Sequence, residues 1–203
     1  MSMSRYYMLN KPRGLLSACA DERCDTVLSC IDSSEREGLF HVGRLDKDTE
    51  GLLLFTDDGA FCHRLMHPDN EVKKTYYFLC SGILTEEKIA TLESGAAIYK
   101  NGDIFTRPAS LSVISIQPVG DVLNLLNDVD LKKVRGKSHA TTIGTITISE
   151  GKKHQVRRML RGVGCYVYYL KRIKMGELWL DQNLKVGEYR PLSENEISLL
   201  KQG

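Results

Sequence analysis

HVGRLDKDTEGLLLFTDDG, residues 41–59, is the stretch on which the reading of this 203-residue chain turns. Acids alternate at Asp46, Asp48 and Glu50, the apolar run Leu52-Leu53-Leu54-Phe55 follows, and Asp57-Asp58-Gly59 closes the stretch. A short apolar run between acids and a turn signal is the pattern of a buried strand, here over 52–56, with a second strand ahead of it over 39–42. Asp57-Asp58-Gly59 opens a short helix over 60–66 that Pro68 stops. The acids have three readings. A calcium loop wants oxygens at positions 1, 3, 5 and 12 and Gly at 6. Counted from Asp46, the residues Asp48, Glu50, Gly51 and Asp57 match, but Leu54 stands at position 9, Asp57 is shorter than the usual Glu, and no helix leads in. A turn of merely solvated acids suits Asp48, Glu50, Asp57 and Asp58. Asp46 differs, because Gly43 and Gly51 bracket it and permit sharp turns and close approach of a polynucleotide. A carboxylate there, facing a guanidinium supplied from elsewhere, stays ionised and is competent as a nucleophile or base.

Outward from this stretch, charge is uneven. Residues 131–174 carry twelve Lys/Arg against one acid, Glu150, so this segment is +11 and the remainder −9. That imbalance points to a polyanionic partner, with a solvated face as the other reading. No apolar run nears the roughly 18 residues of a membrane span. The N-terminal MSMSRYYMLNKPRG lacks the apolar core of a signal peptide, so a cytoplasmic location is expected. None of the six cysteines forms a C-x-x-C pair, and free thiols are expected. The five histidines are scattered, and no metal site or cofactor is assigned to them.

Residues 5–9 read as a strand entering the turn Asn10-Lys11-Pro12-Arg13-Gly14. A strand over 73–80 puts Tyr76 and Tyr77 on opposite faces. A helix over 85–94 follows, capped by Thr85 and stopped by Gly95. Asn101-Gly102 signals a hairpin over 97–106. Strands over 111–116 and 141–149 flank a polar, aperiodic segment, 117–140, read as an exposed basic insertion. A helix over 152–161 is next, then a strand over 166–173, and Ser193 to Glu196 has capping-box spacing ahead of a final helix. In the basic helix Val156, Met159, Leu160 and Val163 make one buried stripe. Lys153, Arg157 and Arg161 repeat at i+4, with His154 and Arg158 beside them. Such like-charge spacing costs a few tenths of a kcal/mol per pair, which favours a phosphate-facing role over a solvated face. The absence of a βαβ rhythm gives an α+β class with a mainly antiparallel, mixed central sheet and flanking helices. Residues 1–203 make one domain, or two lobes sharing one sheet with a cleft between them.

Gly43-Arg44-Leu45-Asp46 through Leu54 resembles the central motif of the RsuA/RluB/RluE/RluF family of pseudouridine synthases. Three other stretches match in order: Asn10 to Gly14 the opening turn, Lys74-Thr75-Tyr76 the base-contacting strand, and Glu150 to Met159 the basic helix. The tail, with Gly176, Gly187 and Arg190-Pro191-Leu192, fits the closing pattern. The resemblance implies the pseudouridine synthase catalytic fold and isomerisation of uridine in RNA, ribosomal RNA above all, on a flipped-out nucleotide. It implies Asp46 as the catalyst, Arg157 as its ion-pair partner and Tyr76 as the ring stacked on the target base. Arg44 fills the space of the displaced nucleotide. Leu170 lines the pocket, and Lys11, Lys74, Lys153, His154, Arg158, Arg161, Lys171 and Arg172 are expected to bind RNA. The partner is ribosomal RNA or an assembling ribosomal particle, no membrane is involved, and a monomer is expected. Many family members carry an N-terminal RNA-binding module; this chain resembles the form without it, and the basic insertion at 131–137 is expected to compensate. A noncatalytic RNA-binding factor is the rival reading; a nucleotide hydrolase lacks its phosphate loop.

Overall fold

The structure is a computed structural model that describes residues 4–20, 24–96, 105–126, 131, 132, 134 and 138–202. In chain order its strands are β1 (Tyr6–Lys11), β2 (Phe40–Val42), β3 (Glu50–Thr56), β4 (Lys74–Ser81), β5 (Ser110–Pro118), β6 (Ala140–Ile148), β7 (Val167–Met175), β8 (Leu178–Trp179) and β9 (Tyr189–Pro191). Its described helices are α1 (Gly59–Met66), α2 (Glu86–Glu93), α3 (Gln155–Gly162) and α4 (Glu194–Gln202). The chain divides into two compact units, one built from the chain up to Lys74 together with the chain from Lys171 on, the other from Thr75–Leu170. The α+β class with a mixed, mainly antiparallel sheet is as expected.

In the first unit β3 is the central strand. Its residues Leu52 to Phe55 are all but fully buried, as a run of four large apolar residues requires. It pairs antiparallel with β1, from Tyr6↔Thr56 to Lys11↔Gly51, and with β2. At its other end it meets β7 in parallel through Glu50↔Lys171 and Gly51↔Arg172. Strand β9 closes the far side of β1. Phe61 and Leu65 of α1 and Leu200 of α4 pack on Met8, Leu52, Leu54 and Met175. The Asp58 side chain caps α1 by accepting from the Phe61 N–H at 2.9 Å, and it takes a second bond from the Tyr6 hydroxyl at 2.7 Å. Those two donors, in that order, hold its carboxyl below the ordinary carboxylate range. Asp57 binds the Arg5 backbone and guanidinium, each at 2.8 Å. The solvated-acid reading of Asp57 and Asp58 is therefore corrected: both tie β1 to the start of α1.

In the second unit the strand order is β5-β6-β4-β7. The capping of α2 by Thr85 is as expected. Two expectations change. The basic helix does not start at residue 152 but at Gln155, because His154 adopts a left-handed conformation (φ +53). Glu150 organises this entry: it accepts from Gln155 Nε2 and the Arg107 N–H and pairs with Lys152, whose charge is thereby committed. The 117–140 insertion is not exposed throughout. β5 and β6 absorb its ends, and Val119, Val122, Leu126 and Val134 are buried against Leu79, Ile143 and Tyr168. Aperiodic apolar residues among polar ones gave no pattern to signal this burial. The hairpin at Asn101-Gly102, and Lys133, Arg135 and Lys137 of the insertion, lie outside the described residues. All six thiols are free, and among the described residues no helix is long and apolar enough to cross a membrane.

Gly51 has φ +102, and a Cβ there would lie 2.2 Å from the Arg172 carbonyl oxygen. Its freedom serves the close contact between β3 and β7, where any side chain would meet the Arg172 backbone. Gly51→Ala should lower stability by well over about 1 kcal/mol, whereas Gly59→Ala, with open space around its Cβ at the start of α1, should raise it by roughly 0.5 kcal/mol. Urea-unfolding midpoints of the two variants check both signs.

Candidate active site

Asp46 sits in the loop between β2 and β3, half-buried, with Arg44 exposed two residues earlier. The Thr49 N–H donates to the Asp46 carbonyl at 3.0 Å, closing a tight turn. Three residues from the N-terminal segment hold that turn. Ser17 Oγ accepts from the Leu45 N–H at 3.1 Å and donates to the Leu45 carbonyl at 2.8 Å. The Gly14 N–H donates to the Lys47 carbonyl at 2.8 Å. The Lys11 ammonium, fully buried, donates to the carbonyls of Pro12 at 2.9 Å and Thr49 at 3.0 Å, with Lys47 farther off at 3.5 Å. At the loop's start the His41 ring nitrogen lies 2.8 Å from the Gly43 carbonyl. The backbone on both sides of Asp46 is thus fixed by long-range bonds.

The same geometry assigns the other acids. Burial lowers the Lys11 pKa from its ordinary value of 10.5 to about 8, and the carboxylates of Asp48, Glu50 and Asp46 pull it back upward. Glu50 also lies 3.6 Å from Arg13. Asp48 and Glu50 therefore help keep a buried cation charged. Among the described residues no group of three or more His, Cys, Asp or Glu is placed to hold a metal ion.

Lys74 and Arg172 share the first unit with Asp46. Both are buried: Lys74 donates to the Val72 carbonyl at 2.8 Å, and Arg172 Nε donates to the Leu52 carbonyl at 2.7 Å. Burial, and then the Arg172 charge, push the Lys74 pKa down to about 8. Lys11, Lys74 and Arg172 were expected to contact RNA. Their burial and their bonds to backbone carbonyls correct this, since a cation spent inside the fold does not reach a phosphate. Lys171, on the alternate face of β7, is half-exposed.

In the second unit Tyr76 is the buried member of its pair, 8% exposed, while Tyr77 packs edge-on against Tyr169 at 6.2 Å. Leu170 is buried at the end of the same unit. On α3, Val156, Met159 and Leu160 face the core, and Arg157 and Arg158 are half-buried. Arg157 donates to the Val167 carbonyl at 3.3 Å. Lys153, His154 and Arg161 are exposed, and the Arg161 guanidinium lies 5.8 Å from the Tyr166 ring centroid. The expected site residues thus fall into two sets: Lys11, Arg44, Asp46, Lys74, Lys171 and Arg172 in one unit, and Tyr76, Lys153, His154, Arg157, Arg158, Arg161 and Leu170 in the other. Sequence reasoning missed Ser17 and Glu150. The lone acid in a basic run was a signal for Glu150; nothing local marked Ser17, whose partner is 28 residues away.

A family model described as RNA pseudouridylate synthase matches residues 5–161. An uncharacterized RNA pseudouridine synthase of Bacillus subtilis is 40% identical over 198 residues, 97% of this chain and 73% of that protein. Ribosomal small subunit pseudouridine synthase A of Salmonella typhimurium is 39% identical over 194 residues, 96% of this chain and 73% of its own length. A crystal structure of a pseudouridylate synthase superposes with a TM-score of 0.80 at 32% identity, covering 98% of this chain and 75% of that one. The chain belongs to the RNA pseudouridine synthase family. It is an isomerase that converts uridine in RNA to pseudouridine.

The two buried lysines make stability depend on pH with a definite sign. Between about pH 8 and 10.5 the folded chain has released a proton that the unfolded chain still holds, so their contribution to stability rises with pH in that window and is flat below it. The difference in unfolding free energy between wild type and Lys11→Met should therefore climb from pH 8 to 10.5 and stay level from pH 6 to 7. Urea titrations at each pH measure it.

Proposed function

We propose that this enzyme isomerises uridine in ribosomal RNA, with Asp46 as the catalytic carboxylate, Arg157 as its orienting cation and Tyr76 as the ring beneath the target base. The observation that carries the reading is the loop around Asp46. A half-buried carboxylate is presented by backbone that Lys11, Gly14 and Ser17 hold from behind. A catalytic group needs such rigid support, because small misplacements cost large factors in rate. The ribosomal target is supported by the 39% identical relative named for the ribosomal small subunit.

In this reading the uridine leaves its stack, at an expense of a few kcal/mol, and exposed cations such as Lys153 and Arg161 offset part of that through phosphate contacts. Arg44, exposed beside the catalytic loop, occupies the space the nucleotide vacates. Asp46 acts on the nucleoside, and the N1–C1′ bond breaks. The detached uracil turns in place, C5 bonds to C1′, the C5 proton leaves, and N1 ends protonated. Tyr76 and Leu170, both buried apolar surfaces, are the groups that keep the uracil from escaping and water from entering. The enzyme acts as a cytoplasmic monomer.

Tritium release from ribosomal RNA labelled at uridine C5 tests the reading, and release should persist in EDTA. Asp46→Asn keeps the side-chain shape, so it should still bind the RNA while turnover falls on the order of a thousandfold or more. Substantial release by that variant rejects Asp46 as the catalyst. Mapping pseudouridines in ribosomal RNA from cells with and without the protein identifies the position; an unchanged map rejects the ribosomal target.

A further inference from the structure

Two cysteines that the isomerisation does not use meet inside the second unit. Cys80 lies near the end of β4 and Cys165 in the short link from α3 to β7. Both are 0% exposed, and their thiols are hydrogen-bonded to each other. The backbone sets this contact independently of the sulfurs. The Ser81 N–H donates to the Tyr166 carbonyl at 2.8 Å, and the Tyr166 N–H donates to Ser81 Oγ at 3.0 Å. The Cys165 N–H donates to the Leu160 carbonyl at 2.9 Å. The residues that follow the two thiols are thus pinned to each other, and Cys165 is held to the last turn of α3.

Buried cysteines in apolar surroundings are inert, because burial keeps the proton on sulfur. This pair differs. Lys88 Nζ donates to the Ile83 carbonyl at 2.9 Å, and Cys165 Sγ faces the same carbonyl at 4.0 Å, so an ammonium stands near the thiols. The hydrogen bond from Cys80 holds the Cys165 pKa below the ordinary thiol value; burial opposes this and the Lys88 charge assists it. The same bond, and then burial, drive the Cys80 pKa up. One sulfur is therefore disposed to ionise and attack, the other to stay protonated and resolve. Cys165 also sits between exposed Gly164 and exposed Tyr166. At Gly82, where a Cβ would come 3.7 Å from its sulfur, no side chain is present. An oxidant little larger than water reaches the thiol when this turn opens locally.

We propose that Cys80 and Cys165 form a peroxide-sensitive dithiol, closing to a reversible disulfide that slows the isomerase. The Cys165 thiolate attacks one oxygen of hydrogen peroxide. The O–O bond breaks, hydroxide leaves and takes up the proton that Cys165 released, and a sulfenic acid remains. The Cys80 sulfur displaces that oxygen, which leaves as water with the Cys80 proton. Two thiols and one peroxide become one disulfide and two waters, and a thiol reductant reverses the change. Alternation along β4 puts Cys80 on the same face as Tyr76, and α3, to whose last turn Cys165 is bonded, carries Arg157. A covalent bond is shorter than the contact it replaces, so closure pulls the end of α3 toward β4. It thereby shifts two groups assigned to catalysis above, and the effect on rate rests on that assignment.

The wild-type protein is treated with hydrogen peroxide under native conditions, and its remaining thiols are alkylated in denaturant. A digest should then contain the peptides of Cys80 and Cys165 joined to each other, and dithiothreitol should separate them. Total RNA labelled at uridine C5, from cells lacking the protein, serves as substrate, so tritium release reads turnover whichever RNA is the target. Turnover should fall between about tenfold and about a hundredfold as the crosslink forms, and recover with the reductant. Cys80→Ala and Cys165→Ala should keep the untreated turnover and lose this sensitivity, whereas Cys19→Ala, at an exposed thiol, should retain it. Lys88→Gln should slow formation of the crosslink. Wild-type thiols at both positions that still alkylate after peroxide overturn the site, a result that needs no variant to fold. A crosslink with unchanged turnover, or an equal loss of turnover in Cys80→Ala, overturns the link to catalysis. The two readings fail separately: an unchanged pseudouridine map of ribosomal RNA removes the ribosomal target alone, and normal turnover with no crosslink removes the dithiol alone.

Discussion

A buried ammonium is the constraint around which the catalytic loop is arranged. Removing Lys11 from water carries a desolvation penalty of several kcal/mol, and the fold sets against it the carbonyls of Pro12 and Thr49 and the field of Asp48, Glu50 and Asp46. The acids that crowd residues 46–50 thus have a physical reason in an otherwise slightly basic chain. Their charges favour the ionised form of a cation that comes from β1, and the cation in turn ties the end of the loop to that strand. Neither side of this arrangement stands without the other: acids packed this closely repel, and a lone ammonium at zero exposure would shed its proton.

From that anchor the rest of the first unit follows. β3 begins at Glu50, immediately after the loop, and its next residues are the apolar run buried on both faces. A loop rooted in such a strand inherits its rigidity. The price is local: Gly43 and Gly51 both take positive φ, Gly43 where a Cβ would collide with Met66 Sδ and Gly51 where β7 passes. The surplus of positive charge between residues 131 and 174 divides in the same physical terms. Lys152 is neutralised by Glu150 and Arg172 is consumed by a backbone carbonyl, so the exposed cations Lys153 and Arg161 carry more of any attraction for RNA than the sum suggests.

Much of the fold was legible beforehand, and the exceptions share a cause. Strands announced themselves by β-formers or apolar runs between turn residues, and the caps Asp58, Thr85 and Ser193 marked helix starts by their short side-chain oxygens. The start of α3 was misread because periodicity continues backward through Lys152 and Lys153, while the backbone turns at His154 under the control of Glu150. Burial within the 117–140 segment was invisible because Val119, Val122, Leu126 and Val134 follow neither helical nor strand spacing; they reach the core from a 3-10 turn and a short helical stretch.

The sequence by itself determined the order of elements, the family, and the identity of Asp46 as the residue to watch, because these depend on local chemistry and on spacing along the chain. Tertiary structure decided which charges are available. Lys11, Lys74 and Arg172 read as surface cations and lie inside; Ser17 reads as nothing and grips the catalytic loop. Burial and hydrogen bonding between distant residues set the cost of every charge, and those distances exist only after the chain has folded.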